Sequence, residues 1–170
     1  MADHAKDSDA AAPRRAKVLT VSDGVSAGTR DDVSGRAVVA HLAENGFEVV
    51  EHRVCADGTE PVALALANMA YRFSGLIVTT GGTGFGPRDR TPEGTRRVLD
   101  RRANGLGEAM RAAHPLGRLS RGLAGTRGET LILNVAGSPS GAIEMLDSVL
   151  DIVPHALDLM LERPTAHPTP

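Results

Sequence analysis

"GLIVTTGGTGFGPRDRTPE", residues 75–93, runs from an apolar, β-branched segment into four glycines within six residues and closes on Thr-Pro-Glu. The first six residues predict a buried strand over 75–80. Thr91-Pro92 predicts a helix start, with threonine as cap and proline in the first turn. Gly81, Gly82, Gly84 and Gly86 permit positive φ and let backbone N–H groups approach a ligand closely. Thr83 adds a hydroxyl. The unit is strand, glycine loop, helix, and its loop has the makings of an anion site. It is no Walker A loop, because Gly-Lys-Ser/Thr is missing, and no G-x-G-x-x-G, because Pro87 stands where the third glycine belongs.

The same alternation extends on both sides. Strands are predicted over 17–22, 47–54 and 129–135, and helices over 35–45, 61–73 and around 105–113. A long helix is predicted from Ser138-Pro139 to about residue 160, kinked or divided by Pro154. Strands alternating with helices predict an α/β fold, a mostly parallel sheet covered on both faces. Ligands of such sheets bind beyond the carboxyl ends of the strands. The loops 22–34, 81–91 and 134–140 fall there. Residues 1–15 and 163–170 read as disordered tails on composition, leaving 16–162 as one folded domain.

Composition narrows the chemistry. The chain has 170 residues, a formal net charge of −2, 41% hydrophobic and 24% charged residues. That balance fits one soluble domain and gives no sign of a nucleic-acid or membrane binder. No apolar run is long enough to span a bilayer, so the expected location is the cytoplasm. The one cysteine, Cys55, excludes an internal disulfide and a thiolate zinc site. The six histidines lack metal-ligand spacing. Lysine occurs only at 6 and 17, so the cations are mostly arginines, suited to a planar grip on phosphate or carboxylate.

Several residues stand out within the loops. Arg88 could fork onto a phosphate. Asp89 beside it is either a turn cap or a carboxylate justified by a divalent cation, most often Mg²⁺. Asp57, in "CADGTEP", is fully explained by Asp-Gly turn chemistry. Ser22 and Asp23 open the first loop, and Asp31-Asp32 reads as its solvated acidic end. "NVAGSPSG" places Ser138-Pro139 at a helix start, whose dipole and free N–H groups suit an anion or simply a capped helix. Phe85 is expected in the core. Ser120, Arg121 and Arg127 lie in a loop where arginine is ordinarily solvated.

"TVSDGVSAG", "GGTGFGPRDRTPE", "GLGEAMR", "LSRGLAGTRG" and "LILNVAGSP" occur in an order that resembles the molybdenum cofactor biosynthesis family, which includes molybdopterin adenylyltransferases of the MogA/MoaB type and the gephyrin G domain. The resemblance covers residues 16–160. It implies a three-layer αβα sandwich assembled as a trimer or dimer of trimers. It also implies Mg-ATP-dependent adenylylation of molybdopterin with release of pyrophosphate, and a molybdenum-insertion protein as a further partner. Asp57 and Asp89 match the family's two aspartates tied to Mg²⁺ and catalysis. Ser22, Asp23, Gly81, Gly82, Thr83, Gly84, Arg88, Glu108, Ser120, Asn134, Gly137, Ser138 and Pro139 match its substrate loops. Ala136 and Ser138 depart from the family's Asn-x-Pro-Gly-Asn-Pro loop, which keeps open a second reading: a weakly catalytic or non-catalytic relative that binds molybdopterin or nucleotide and acts through a partner.

Overall fold

Four parallel strands form the centre of the protein: β1 (Arg14–Val21), β2 (Phe47–Cys55), β3 (Gly75–Thr80) and β6 (Thr130–Val135). The computed structural model of the chain describes residues 13–165. Two short strands, β4 (Arg101–Arg102) and β5 (Ala124–Arg127), run antiparallel at one edge, and the six-stranded order is β2-β1-β3-β6-β5-β4. Strands β3 and β6 are buried at every residue. This is why they read as unbroken apolar runs: a parallel strand covered on both faces has no polar side to show.

Alternate side chains feed two cores. Leu76 and Val78 face one with Val18, Leu131 and Leu133, under α2 (Val33–Glu44), α5 (Asn104–Ala112), α6 (Pro139–Asp147) and α7 (Val153–Met160). Ile77 faces the other with Leu19 and Ile132, under α3 (Thr59–Ala70) and α4 (Thr91–Val98). The result is the expected three-layer sandwich. A four-residue helix, α1 (Asp23–Ser26), and a 3-10 turn (Pro115–Leu119) complete it.

The departures from expectation are local. β1 begins at Arg14, so Arg14 and Arg15, assigned to the tail on composition, belong to the sheet. Arg14 donates to Asp158 at 2.7 Å, and Arg15 lies over the Phe73 ring. Residues 1–12 and 166–170 of the expected tails lie outside the described residues. Residues 148–152 separate α6 from α7, with Pro154 in the first turn of α7, where its missing N–H costs nothing. At α4 the N-cap is Arg90; the Thr91 hydroxyl donates to the Gly81 carbonyl at 2.8 Å instead. No helix among the described residues is long and apolar enough to cross a membrane.

Candidate functional site

Chain order and sheet order diverge at β1: β2 pairs on one side of it and β3 on the other. Loops leaving β1 and β3 at their carboxyl ends therefore part to opposite faces and open a crevice. A cavity of 480 Å³ lies there, lined by Ser22, Asp57, Gly81, Gly82, Asp89, Gly137, Ser138 and Pro139, among others. These residues come from the ends of all four parallel strands. A second cavity, of 340 Å³, shares Ser138 with the first and is lined by Thr83, Leu116, Leu119, Ser120, Glu144 and Met145, among others.

The glycine loop is shaped by crowding. Gly81 has φ +101° and Gly82 φ +65°. A Cβ on Gly82 would lie 2.3 Å from Thr91 Oγ1 and 3.2 Å from Asp57 Oδ1. Only glycine accepts both this φ and this proximity. The N–H groups of Gly82, Thr83 and Gly84 have no acceptor among the described residues. Asp89 closes the loop by accepting from Gly86 N–H at 2.8 Å through Oδ2. Arg121, expected to be solvated, is half-buried and acts as a strut behind the loop. Its Nε donates to the Gly84 carbonyl at 2.8 Å, its Nη2 to the Asp89 carbonyl at 2.6 Å, and its Nη1 pairs with Glu93. Burial pushes the Glu93 carboxyl up, but the Arg121 hydrogen bond, a backbone hydrogen bond and the charges of Arg121 and Arg90 together hold the group below its ordinary range.

Asp57 belongs to a cross-loop clamp. Asp23 N–H donates to Asp57 Oδ2 at 2.8 Å, and Asp57 N–H donates to Asp23 Oδ1 at 3.1 Å. Arg88 forks onto both Asp23 oxygens at 2.9 Å and donates to the Asp57 carbonyl at 2.9 Å. The Arg88 guanidinium thus ties the first loop to the turn after β2 in this structure. The Arg88 hydrogen bond holds the Asp23 carboxyl below its ordinary range, and Asp23 in turn raises Arg88. Asp57 and Asp89 each spend Oδ2 on a backbone N–H, leaving Oδ1 of each without a hydrogen bond among the described residues.

The remaining expected residues divide. Ser22 caps α1 by accepting from Val25 N–H at 3.2 Å, and Ser138 caps α6 by accepting from Gly141 N–H at 3.3 Å. Thr83 and Ser120 line the second cavity. Asn134 lines neither. It is fully buried, accepts from Leu123 N–H at 3.1 Å and donates to Thr79 Oγ1 and Thr95 Oγ1 at 2.9 and 3.0 Å. Its amide is consumed in tying β6 to β3, α4 and the loop before β5. Glu108 lies on α5 and lines a separate cavity with Arg102 and Arg111. Phe85, expected in the core, is 70% exposed at the tip of the glycine loop.

Sequence reading also missed a support. Asp32 is not merely solvated: it caps α2 through Gly35 N–H at 2.8 Å, accepts from Thr20 Oγ1 at 2.7 Å and lies 2.9 Å from His52 Nε2. It thereby pins the end of the first loop to β1 and β2. An aspartate directly before a helical pattern, three residues from Gly35, was the available cap signal. Among the described residues, no group of three or more His, Cys, Asp or Glu side chains is placed to hold a metal ion. Two carboxylates suffice for Mg²⁺, however, when phosphates and water complete its shell. The donor set at Asp57 and Asp89 fits that case.

Comparison with known proteins gives a consistent picture. A family model described as a probable molybdopterin binding domain matches residues 17–155. The molybdopterin adenylyltransferase of Helicobacter pylori is 37% identical over 151 residues, covering 85% of this chain and 86% of that protein. The solved structure of the molybdopterin biosynthesis enzyme MoaB from Thermus thermophilus superposes with a TM-score of 0.83 at 46% identity, covering 89% of this chain and 98% of that one. The molybdopterin biosynthesis Mog protein from Mycobacterium ulcerans gives 0.79 at 40% identity, covering 86% and 99%.

Proposed function

The chain belongs to the molybdopterin-binding family of molybdenum cofactor biosynthesis, and on that premise we propose that it is a molybdopterin adenylyltransferase using Mg-ATP. One observation carries the reading: two cavities meet at Ser138, one walled by bare backbone and carboxylates, the other by leucines and a methionine interspersed with hydroxyl side chains, an imidazole and a carboxylate. Adenylyl transfer needs such a pair, because the phosphate ends of two different molecules must meet. The larger cavity takes the ATP phosphates, and the smaller takes the pterin.

In this reading the terminal phosphate oxygen of molybdopterin attacks the α-phosphorus of ATP. The bond from that phosphorus to the bridging oxygen breaks, and pyrophosphate leaves. The nucleophile is already an anion, so no protein base is required. The free N–H groups of Gly82, Thr83 and Gly84, with the N-terminus of α6, hold phosphate oxygens. Asp57 and Asp89 would hold the magnesium ion that accompanies the nucleotide. Mg²⁺, when bound with the nucleotide, offsets charge on the phosphates and on the leaving group. Asp23 and Arg88 fix the orientation of Asp57, and Arg121 that of the Asp89 loop. Positioning and charge neutralisation are the main means of catalysis for this class of reaction.

The reaction is placed in the cytoplasm, in a homotrimer or dimer of trimers, with a molybdenum-insertion protein receiving the product. The test is direct. Protein incubated with molybdopterin and Mg-ATP should yield adenylylated pterin and pyrophosphate. Asp89→Ala should lower the rate by roughly 10²–10³-fold. Binding of both ligands without product would favour the non-catalytic reading, and undiminished turnover in Asp57→Ala would remove that residue from the mechanism.

A further inference from the structure

The smaller cavity holds a carboxylate of its own. Its lining includes Leu116, Leu119 and Met145, the hydroxyl residues Thr83, Ser120, Ser138 and Ser140, and one carboxylate, Glu144. No Lys or Arg lines it, and its one basic side chain, His114, accepts from Leu116 N–H at 3.0 Å through Nδ1. Glu144 lies in the middle of α6 (Pro139–Asp147) and its carboxylate has neither an ion pair nor a hydrogen bond among the described residues. Asp23 is engaged by Arg88, Glu93 by Arg121, and Asp32 by Thr20 and its own helix, while Asp31, in the larger cavity, is as unpaired among the described residues as Glu144 is in the smaller one. A bare carboxylate beside exposed leucines and a buried methionine gains nothing for the fold.

Resting on the assignment of this cavity to the pterin, we infer that Glu144 is the residue that reads the pterin's 2-amino-4-oxo edge. That edge presents two adjacent donors, the ring N3–H and the 2-amino group. An ionised carboxylate is acceptor-only, with two oxygens spaced to take both at once. The flat ring needs apolar walls, which Leu116, Leu119 and Met145 supply. The ligand must also reach the phosphate cavity, and the shared Ser138 gives it that path. Glu144 is thus a specificity-determining residue, distinct from the carboxylates at 57 and 89.

Glutamine in place of Glu144 keeps the shape but turns one acceptor into a donor, opposing the ligand's own donors. Loss of a charged hydrogen-bond pair predicts a rise of about ten- to a hundredfold in the molybdopterin dissociation constant for Glu144→Gln. ATP affinity and melting temperature should be unchanged, because Glu144 is exposed and unpaired. A ligand-side control uses competition by pterin and by lumazine, which carries oxygen at C2 instead of the amino group. Wild type should prefer pterin, and Glu144→Gln should lose that preference. Molybdopterin binding to wild type with equal affinity for Glu144→Gln would overturn this inference alone. Wild type that binds ATP but no molybdopterin would overturn the pterin cavity and this inference together.

Discussion

Replacing Asn134 by leucine separates a strut from a substrate ligand. The side chain is buried at 1% exposure and makes three hydrogen bonds, to Leu123 N–H, Thr79 and Thr95. Leucine keeps the volume and removes all three. The Leu123 N–H is then left buried without an acceptor, at about 1–3 kcal/mol, and each threonine hydroxyl loses a bond worth about 0.5–1.5 kcal/mol net. The sum is roughly 2–6 kcal/mol, a large share of a domain stability of about 5–15 kcal/mol. At the midpoint, near 4 kcal/mol, the melting temperature of a chain this long falls by roughly 8–16 °C. Urea unfolding at 25 °C measures the loss, and steady-state kinetics well below the new melting point measures the site. The expected result is a destabilised protein whose Michaelis constants for ATP and molybdopterin stay within about twofold of wild type, under 0.5 kcal/mol. An unchanged melting temperature with a tenfold rise in either constant, about 1.4 kcal/mol, would refute the reasoning and return Asn134 to the ligand.

Gly82→Ala should cost about 1–2 kcal/mol for a left-handed alanine, with more from displacing the Thr91 hydroxyl, and should lower both melting temperature and turnover. Wild-type values for both would contradict the crowding seen at this loop. Arg88→Lys cannot reproduce the fork on Asp23; amide exchange around 23–27 and 56–58 should quicken and turnover fall, with little change in melting temperature because the pair is exposed. The same pair fixes an acid limit. The folded Asp23 carboxyl is depressed, so what the pair adds to stability is present above the ordinary aspartate range and fades as pH falls below it. NMR titration should show Asp23 moving up to its ordinary range in Arg88→Ala. Cys55 is pushed up to about 11, first by burial and then by Asp57. Iodoacetamide should label it far more slowly in native protein than in urea, and its contribution to stability, intact below about pH 9, should be lost as pH rises toward 11.

The parallel sheet was legible because its central strands carry their burial in composition. Residues 75–80 and 130–135 are apolar or threonine at nearly every position, and only a strand covered on both faces reads so. Strands β4 and β5 were not legible, since two arginines and the run Ala-Gly-Thr-Arg carry no such signal. Gly125 must be bare there because a Cβ would lie 2.4 Å from the Arg101 carbonyl, a constraint that exists only once the strands are paired. The same limit applies at the site. Motifs located the carboxylates and glycines, because turn and loop chemistry is local. They could not say that Arg88 pairs with Asp23, 65 residues away, or that Asn134 faces inward. Which partner a polar side chain meets is decided by topology.

Topology also answers why so much bare backbone gathers after β3. A Cβ on Gly81 would lie 2.3 Å from the Val21 carbonyl, and one on Gly137 would lie 3.2 Å from the Gly81 Cα. The ends of β1, β3 and β6 are thus packed backbone against backbone at the crevice where the strand order reverses. Glycine there first serves the meeting of three chain segments. Because side chains are excluded there, the N–H groups beyond the strand ends remain within reach of a ligand, and Asp57 and Asp89 enter the crevice from its rim. Close packing and the proposed phosphate binding therefore make the same demand on Gly81 and Gly82. They part at Gly84 and Gly86, whose Cβ atoms would lie 2.9 and 2.8 Å from Asp89 Oδ2 and from no neighbouring strand. Bare backbone at those two positions serves the placement of one carboxylate, Asp89, and not the packing of the sheet.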